Sequence, residues 1–182
     1  MLVAAMLLVG GVFGSTLTAV TAFMRERCAV EQAGIVYGAM SLGAIVVAVL
    51  IAAVPARIVL AVRWPVLGIL AVAGCLTLSL TGTVPGIIAG LVLSGCGVGA
   101  VLVTLFSMGA AESPAGRSTT VLTALQSTLV VGQAVVTAGA GSLADAAGSA
   151  AGFWLTVVLA VALSVLGAAN LLVRRRTRGS TA

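Results

Sequence analysis

Long apolar stretches separated by short polar or charged connections make up most of the chain. A helix must contain roughly 20 mostly apolar residues to cross a hydrocarbon core of about 30 Å. Six stretches have this length, approximately over residues 2–24, 33–54, 64–81, 85–111, 119–143 and 150–173. They are continuous and rich in Leu and Ala, without the alternation typical of a membrane β-strand. The pattern therefore predicts an all-α membrane protein with six transmembrane helices.

The first stretch also has to be compared with a secretory signal peptide, which would begin with basic residues and end at a cleavage site. It carries no charge at its start and is long enough to span, so a membrane helix is the preferred interpretation. The signal-peptide alternative would leave five spans. We expect a bundle over residues 1–173 and a short basic tail over residues 174–182.

Composition excludes the soluble classes of protein. The 182 residues are 61% hydrophobic and 7% charged, with a mean hydropathy of +1.29. A soluble domain carries about 25% charged residues, so neither a cytosolic domain nor a disordered chain fits. Three cysteines make no disulfide framework, and Cys75 and Cys96 lie inside apolar stretches.

The distribution of arginines predicts the orientation in the cell membrane. The net charge is +5, but all nine basic residues are Arg, and they flank apolar stretches, which argues against nucleic-acid binding. If all six stretches span, seven arginines share one side with both termini: Arg57, Arg63, Arg117, Arg174, Arg175, Arg176 and Arg178. Arg25 and Arg27 lie on the other side. Positive charge favours the cytoplasm, so a multi-pass protein with both termini cytoplasmic is expected.

Glycines at four-residue spacing predict close helix packing. Such pairs lie inside the spans, at Gly10 and Gly14, Gly34 and Gly38, Gly86 and Gly90, and Gly95 and Gly99. Small residues at this spacing let helix backbones approach closely in lipid. A phosphate-binding loop at residues 95–99 is rejected, since no strand precedes it and no acid follows about 20 residues later.

A polar stripe follows one face of the fifth span. Its members are Thr119, Thr123, Gln126, Gln133 and Thr137. Weaker stripes in the first and fourth spans include Thr18, Thr21, Ser94 and Thr104. These stripes either line a wet cavity or form hydrogen bonds at helix contacts, and the sequence leaves both interpretations open.

The charged residues lie at the ends of spans or in connections, and none is at the middle of a span. Asp145 is expected to cap a helix or to pair at the outer surface. The chain has no His and no paired carboxylates inside a span, so neither a Ser-His protease nor a metal hydrolase is expected. We expect no enzyme activity, cofactor or metal.

Several features together resemble the C-terminal half of a major facilitator superfamily transporter, most closely its drug-efflux branches. They are the order of spans, the Gly-rich fourth span, the connection from Glu112 to Arg117, and the segment from Gly132 and Gln133 to Gly148. The resemblance covers nearly the whole chain. It implies a six-helix half that moves a small molecule by alternating access with a second half, supplied upstream in the same gene, by a separate chain or by a second copy.

The resemblance also implies roles for individual residues. Thr18, Thr21, Ser94 and Thr104 would line the substrate path, and Gln126 and Gln133 would contact the second half or gate it. The family's loop after the second helix corresponds here to Arg57 and Arg63 but lacks the family's Asp, so a charge-pair latch is not expected there. The alternative function is an accessory or structural membrane protein that packs against partners without transport.

Overall fold

The computed structural model describes residues 1–53, 60–114 and 116–179, and in these ranges it is all-helical. The helices are α1 (Leu2–Glu26), α2 (Ala33–Ala53), α3 (Leu60–Leu80), α4 (Val84–Ala111) and α5 (Ser118–Gly179). A short 3₁₀ helix, Val30–Gln32, connects α1 to α2. Helix α4 begins with a side-chain cap, since the Thr83 hydroxyl accepts the Gly86 N–H and Pro85 occupies the first turn.

Helix α5 has 62 residues and is broken at Gly148. A straight helix of that length would measure about 93 Å, three times the hydrocarbon core of about 30 Å. Gly148 has φ 80° and ψ 174°, a conformation that is essentially restricted to glycine. It divides α5 into a first arm, 118–147, and a second arm, 149–179. The prediction of six separate helices is therefore corrected to five in the described residues. The connection expected between the fifth and sixth spans is reduced to the single residue Gly148.

The two arms of α5 run in opposite directions along α1. Gly10 lies against Leu129 and Gly14 against Thr137, so α1 and the first arm are parallel. Ala19 lies against Gly152, and Ser15 hydrogen-bonds to Thr156, so α1 and the second arm are antiparallel. The chain therefore folds back at Gly148 and holds α1 between the two arms.

The directions of α2, α3 and α4 also alternate along the chain. Helix α3 is antiparallel to α4, where Ala71 meets Gly97 and Gly74 meets Ser94. Helix α2 is parallel to α4, with Met40 beside Gly95. The start of α1 and the end of the second arm lie side by side, since a groove there is lined by Ala4, Leu8, Leu166 and Ala169 among others. Both ends of the described chain are therefore at one end of the bundle.

Four helical stretches are long and apolar enough to cross a membrane: Leu2–Glu26, Val30–Ile51, Val84–Ala111 and Ser118–Val173, with Trp64–Leu80 as a shorter apolar helix. In the most apolar 18-residue window of α1, 61% is buried inside the protein. In the corresponding window of Val30–Ile51, only 22% is buried. The outer face of α2 carries exposed aliphatic side chains, including Ile35, Leu42 and Val49. These are features of an integral membrane protein whose core is built around α1 and α4.

The arginine-rich segment continues α5. The backbone stays helical to Gly179, beyond the bundle boundary expected at residue 173. Arginine has high helix propensity, and nothing in this segment breaks a helix before Gly179. Only the backbone of Arg63, Arg174, Arg175 and Arg176 is described, and Arg57 lies outside the described residues.

Candidate functional site

Gln126 lies in a groove between α4 and the first arm of α5. The groove has a volume of about 570 Å³ and is lined by Phe106, Ser107, Ala110, Leu122, Thr123 and Gln126. The Thr123 hydroxyl donates to the Thr119 carbonyl at 2.9 Å and is satisfied by its own helix. No hydrogen bond to the Gln126 amide is formed within the described part of the chain. Gln126 thus presents an amide at an open, mainly apolar surface.

A second groove separates α1 from the first arm near the end of α1. Its volume is about 320 Å³, and its lining includes Thr18, Thr21, Thr137, Arg25 and Asp145. The Thr18 hydroxyl donates to the Gly14 carbonyl at 2.9 Å, and the Thr21 hydroxyl donates to the Leu17 carbonyl at 2.8 Å. We call this groove the α1 cleft. It combines neutral hydroxyl groups with one residue of each charge.

Charged groups connect three segments at this end of the bundle. Arg25 Nη2 lies 2.7 Å from Asp145 Oδ1, which confirms that Asp145 pairs at a surface. The Glu26 carboxylate accepts two hydrogen bonds from Ser149. The Arg27 guanidinium donates to the Gly82 carbonyl and lies 4.3 Å from the centre of the Phe23 ring. The end of α1 therefore holds both the turn in α5 and the α3–α4 connection.

Ser94 and Thr104 lie inside the bundle and line neither of these grooves. Both are buried, and Ser94 is at the contact of α4 with Gly74. The Ser94 hydroxyl donates to the Leu91 carbonyl at 3.0 Å, and the Thr104 hydroxyl donates to the Ala100 carbonyl at 2.8 Å. Gln133 is half-buried beside α1, where its backbone lies against Gly10 and Gly14. The structure thus brings together Thr18 and Thr21 but separates them from Ser94, Thr104 and Gln126.

One buried polar contact was not anticipated from the sequence. The Thr156 hydroxyl donates to the Ser15 hydroxyl at 2.9 Å, and both residues are fully buried. Ser15 in turn donates to the Gly11 carbonyl at 2.9 Å. The sequence feature that could have indicated this contact is the pair of nearby glycines, Gly11 and Gly14, because glycines allow helices to approach closely enough for short hydroxyl side chains to meet.

The paired glycines differ in their surroundings. A Cβ atom on Gly10 would lie 2.0 Å from the Leu129 carbonyl oxygen, and one on Gly95 would lie 2.1 Å from the Met40 carbonyl oxygen. Similar short approaches occur at Gly14, Gly90 and Gly99. Gly86 instead lies against Thr81 in the preceding connection, while Gly34 and Gly38 have open space around them. Close packing is therefore a property of the contacts of α1 with α5 and of α4 with α2 and α3, whereas the start of α2 is not closely packed.

The opposite end of the bundle contains the connection from α4 to α5. Glu112 is the C-terminal cap residue of α4. The Arg117 backbone N–H donates to the Pro114 carbonyl at 3.0 Å, and Gly116 has a φ of 78°. In the described ranges, no three residues of the metal-binding types lie together.

No family model, curated protein or solved structure matches this chain. The fold defines an all-helical protein with several helices that are long and apolar enough to span a membrane.

Proposed function

We propose that this chain is one six-pass half of a secondary transporter of the major facilitator type in the cell membrane, with both termini cytoplasmic. Together with a second half, it would move a small molecule by alternating access, as in efflux of a drug or metabolite. Transporters of this architecture place the substrate between two bundles. Support comes from the alternating direction of the helical segments and from the grooves that polar side chains line.

The observation that carries the proposal is the environment of Gln126. It lies eight residues into the first arm, about 12 Å along the helix axis. A polar amide at that depth is unfavourable unless it meets water or a polar partner. Its groove also holds Ser107 and Thr123, and these neutral side chains suit a substrate bound through hydrogen bonds. A second polypeptide segment facing the groove would enclose these groups in a cavity.

An accessory protein without transport is the second candidate function. The observation that favours it is the hydroxyl bonding: Thr18, Thr21 and Thr123 all donate to carbonyls of their own helices. Such hydroxyls tolerate lipid or a packed partner without a water-filled cavity. The two functions differ in whether Gln126 contacts water.

Cysteine accessibility in native membranes tests this difference. Single Thr123→Cys and Gln126→Cys variants are made in a background that carries Cys28→Ser and Cys96→Ala, because Cys28 is exposed and Cys96 half-buried, while Cys75 is buried. Val158→Cys is the matched control, since Val158 is 61% exposed on the apolar face of the second arm. We expect a charged, water-soluble thiol reagent to label positions 123 and 126 at least tenfold faster than position 158.

Equally slow labelling at all three positions would contradict the transporter proposal and favour the accessory protein. Reconstitution gives a second measurement, because a monomeric half has no opposing wall for alternating access. We expect no saturable uptake in proteoliposomes that contain only the monomeric chain. Saturable uptake by that monomer would show that a second half is not required.

A further inference from the structure

The gap between α1 and the first arm of α5 widens from the centre of the bundle toward the end of α1, where it becomes the α1 cleft. At its narrow end, a Cβ atom on Gly10 would lie 2.0 Å from the Leu129 carbonyl oxygen, so the two backbones touch. At its wide end, a Cβ atom on Gly141 would meet nothing within 4 Å. The volume of about 320 Å³ lies in this wider part. The cleft therefore forms because α1 and the first arm touch near the centre of the bundle and diverge toward the end of α1.

The mouth of the cleft carries both signs of charge. Arg25 and Asp145 form an ion pair at 2.7 Å, and their side chains remain 60% and 67% exposed. The hydroxyls of Thr18 and Thr21, which donate to their own helix, keep lone pairs that can accept hydrogen bonds. Below the charges, Leu17, Ala22 and Ala144 provide apolar walls. A ligand that fits would be polar and doubly charged at one end and apolar at the other.

The charges lie at the depth of lipid headgroups. Arg25 follows Leu2 by 23 residues in α1, which corresponds to about 35 Å of helix. The hydrocarbon core is about 30 Å thick, so a helix that begins near one interface brings Arg25 to the other. The cleft between two membrane helices therefore opens where headgroups and the first part of the acyl chains are found.

We propose that the α1 cleft binds a zwitterionic phospholipid of the phosphatidylethanolamine class. The phosphate would face the Arg25 guanidinium, and the ammonium would donate to the Asp145 carboxylate. A purely anionic headgroup would bring its charge beside Asp145, and a choline headgroup has no N–H to donate. The apolar walls would contact the start of one acyl chain. This site is independent of transport and holds equally for an accessory protein.

Two glycine variants test whether a lipid occupies the cleft. Gly141→Leu fills the wide part of the cleft. Gly139→Leu is the matched control, because Gly139 also has open space around it but does not line the cleft. Purified protein is titrated with dioleoyl-phosphatidylethanolamine, and bound lipid is counted by native mass spectrometry. We expect Gly141→Leu to weaken binding at least tenfold and Gly139→Leu to leave it unchanged; equal binding by both variants would overturn the proposal.

A charge variant tests the headgroup chemistry and covers the case in which Gly141→Leu does not fold. The double variant Arg25→Gln with Asp145→Asn keeps the net charge and similar side-chain sizes, and Arg117→Gln is the control at the opposite end. We expect only the double variant to lose ethanolamine lipid binding, by at least tenfold. Wild-type protein should bind dioleoyl-phosphatidylglycerol and dioleoyl-phosphatidylcholine at least tenfold more weakly. Equal binding of these lipids, or competition by soluble phosphoethanolamine at the same concentration as the lipid, would refute a lipid site of this class.

Discussion

Glu26 caps a helix that lies 123 residues away in the sequence, because its carboxylate accepts the Ser149 backbone N–H and the Ser149 hydroxyl, both at 2.8 Å. The N-terminus of a helix has unpaired N–H groups and a partial positive charge, so a carboxylate there is stabilising. The second arm of α5 begins immediately after Gly148 and has no local side chain in this role. Its cap is instead supplied by the end of α1.

Replacing Glu26 with Gln should destabilise the protein by about 1 kcal/mol, because the amide removes the charge while keeping the size. Glu31→Gln is the matched control, since Glu31 is an exposed carboxylate in the connection after α1. The free energy of unfolding in detergent by denaturant titration measures the difference. Equal losses for the two variants would show that the Ser149 contacts contribute nothing specific.

Gly10→Ala should destabilise the bundle by about 1 to 3 kcal/mol through overpacking. The added methyl would lie 2.0 Å from a backbone oxygen of Leu129, which cannot rotate away. Gly38→Ala is the control, because Gly38 has open space and should gain about 0.5 to 1 kcal/mol from the better helix former. If α1 contacts the first arm as described, thermal unfolding should show a lower stability for Gly10→Ala and a higher stability for Gly38→Ala than for the unsubstituted protein.

The hydrogen bond between Ser15 and Thr156 should contribute a coupling energy of about 0.6 kcal/mol, the average for interhelical hydrogen bonds in membrane proteins. A double-mutant cycle with Ser15→Ala and Thr156→Val measures it from unfolding free energies. The parallel cycle with Thr16→Val should be additive, since the Thr16 hydroxyl donates only to the Val12 carbonyl at 2.6 Å. Additivity in both cycles would argue against the Ser15 contact.

Gly148→Ala should cost about 1 to 3 kcal/mol, because its φ of 80° and ψ of 174° are strained for any residue with a Cβ atom. Gly139→Ala, within the helical first arm, should be neutral or slightly stabilising. Unfolding free energies of the two variants provide the comparison. A small cost at Gly148 would mean that the two arms do not require this backbone conformation.

Cys28 provides a natural test of orientation. It is exposed, just past the end of α1, whereas Cys75 is buried. With cytoplasmic termini, Cys28 should react with a membrane-impermeant maleimide in intact cells. Arg117→Cys in a Cys28→Ser background should react only after permeabilisation, and both measurements use a Cys96→Ala chain because Cys96 is half-buried. Labelling of both positions in intact cells would place them on the same side and exclude an odd number of crossings between them. Labelling of position 117 alone in intact cells would mean that the orientation is opposite to the one proposed.

The positions of the helices were predictable because the length of an apolar stretch is dictated by membrane thickness. Helix α2 was expected from residue 33 to residue 54 and is observed as Ala33–Ala53. The joint at Gly148 was not predictable in the same way. Gly141, Asp145 and Gly148 together indicated a boundary, but only three-dimensional contacts show that one glycine reverses the chain.

The candidate site was predictable only in part, since a stripe on one helix says nothing about its neighbours. The stripe of the first arm faces α4 at Gln126 but α1 at Thr137, where the hydroxyl lies beside Gly14. Thr18 belongs to the α1 cleft only because α1 and this arm diverge beyond Gly14. Ser94 and Ser107 are both serines of α4, yet Ser94 is buried against α3 whereas Ser107 lines the groove beside Gln126. Neighbouring helices, rather than residue type, determine which polar groups are accessible.

The position of α1 between the two arms of α5 has a consequence for biosynthesis. The partner of Ser15 is 141 residues further along the chain, so α1 enters the bilayer long before the second arm has been translated. During that interval the glycine-lined faces of α1 lack their final contacts and are available to a chaperone, an insertase or a misfolding partner. Translation of Ser149 and the residues after it is therefore the event that permits the core to close, and stalling before that point should leave an inserted but protease-sensitive intermediate.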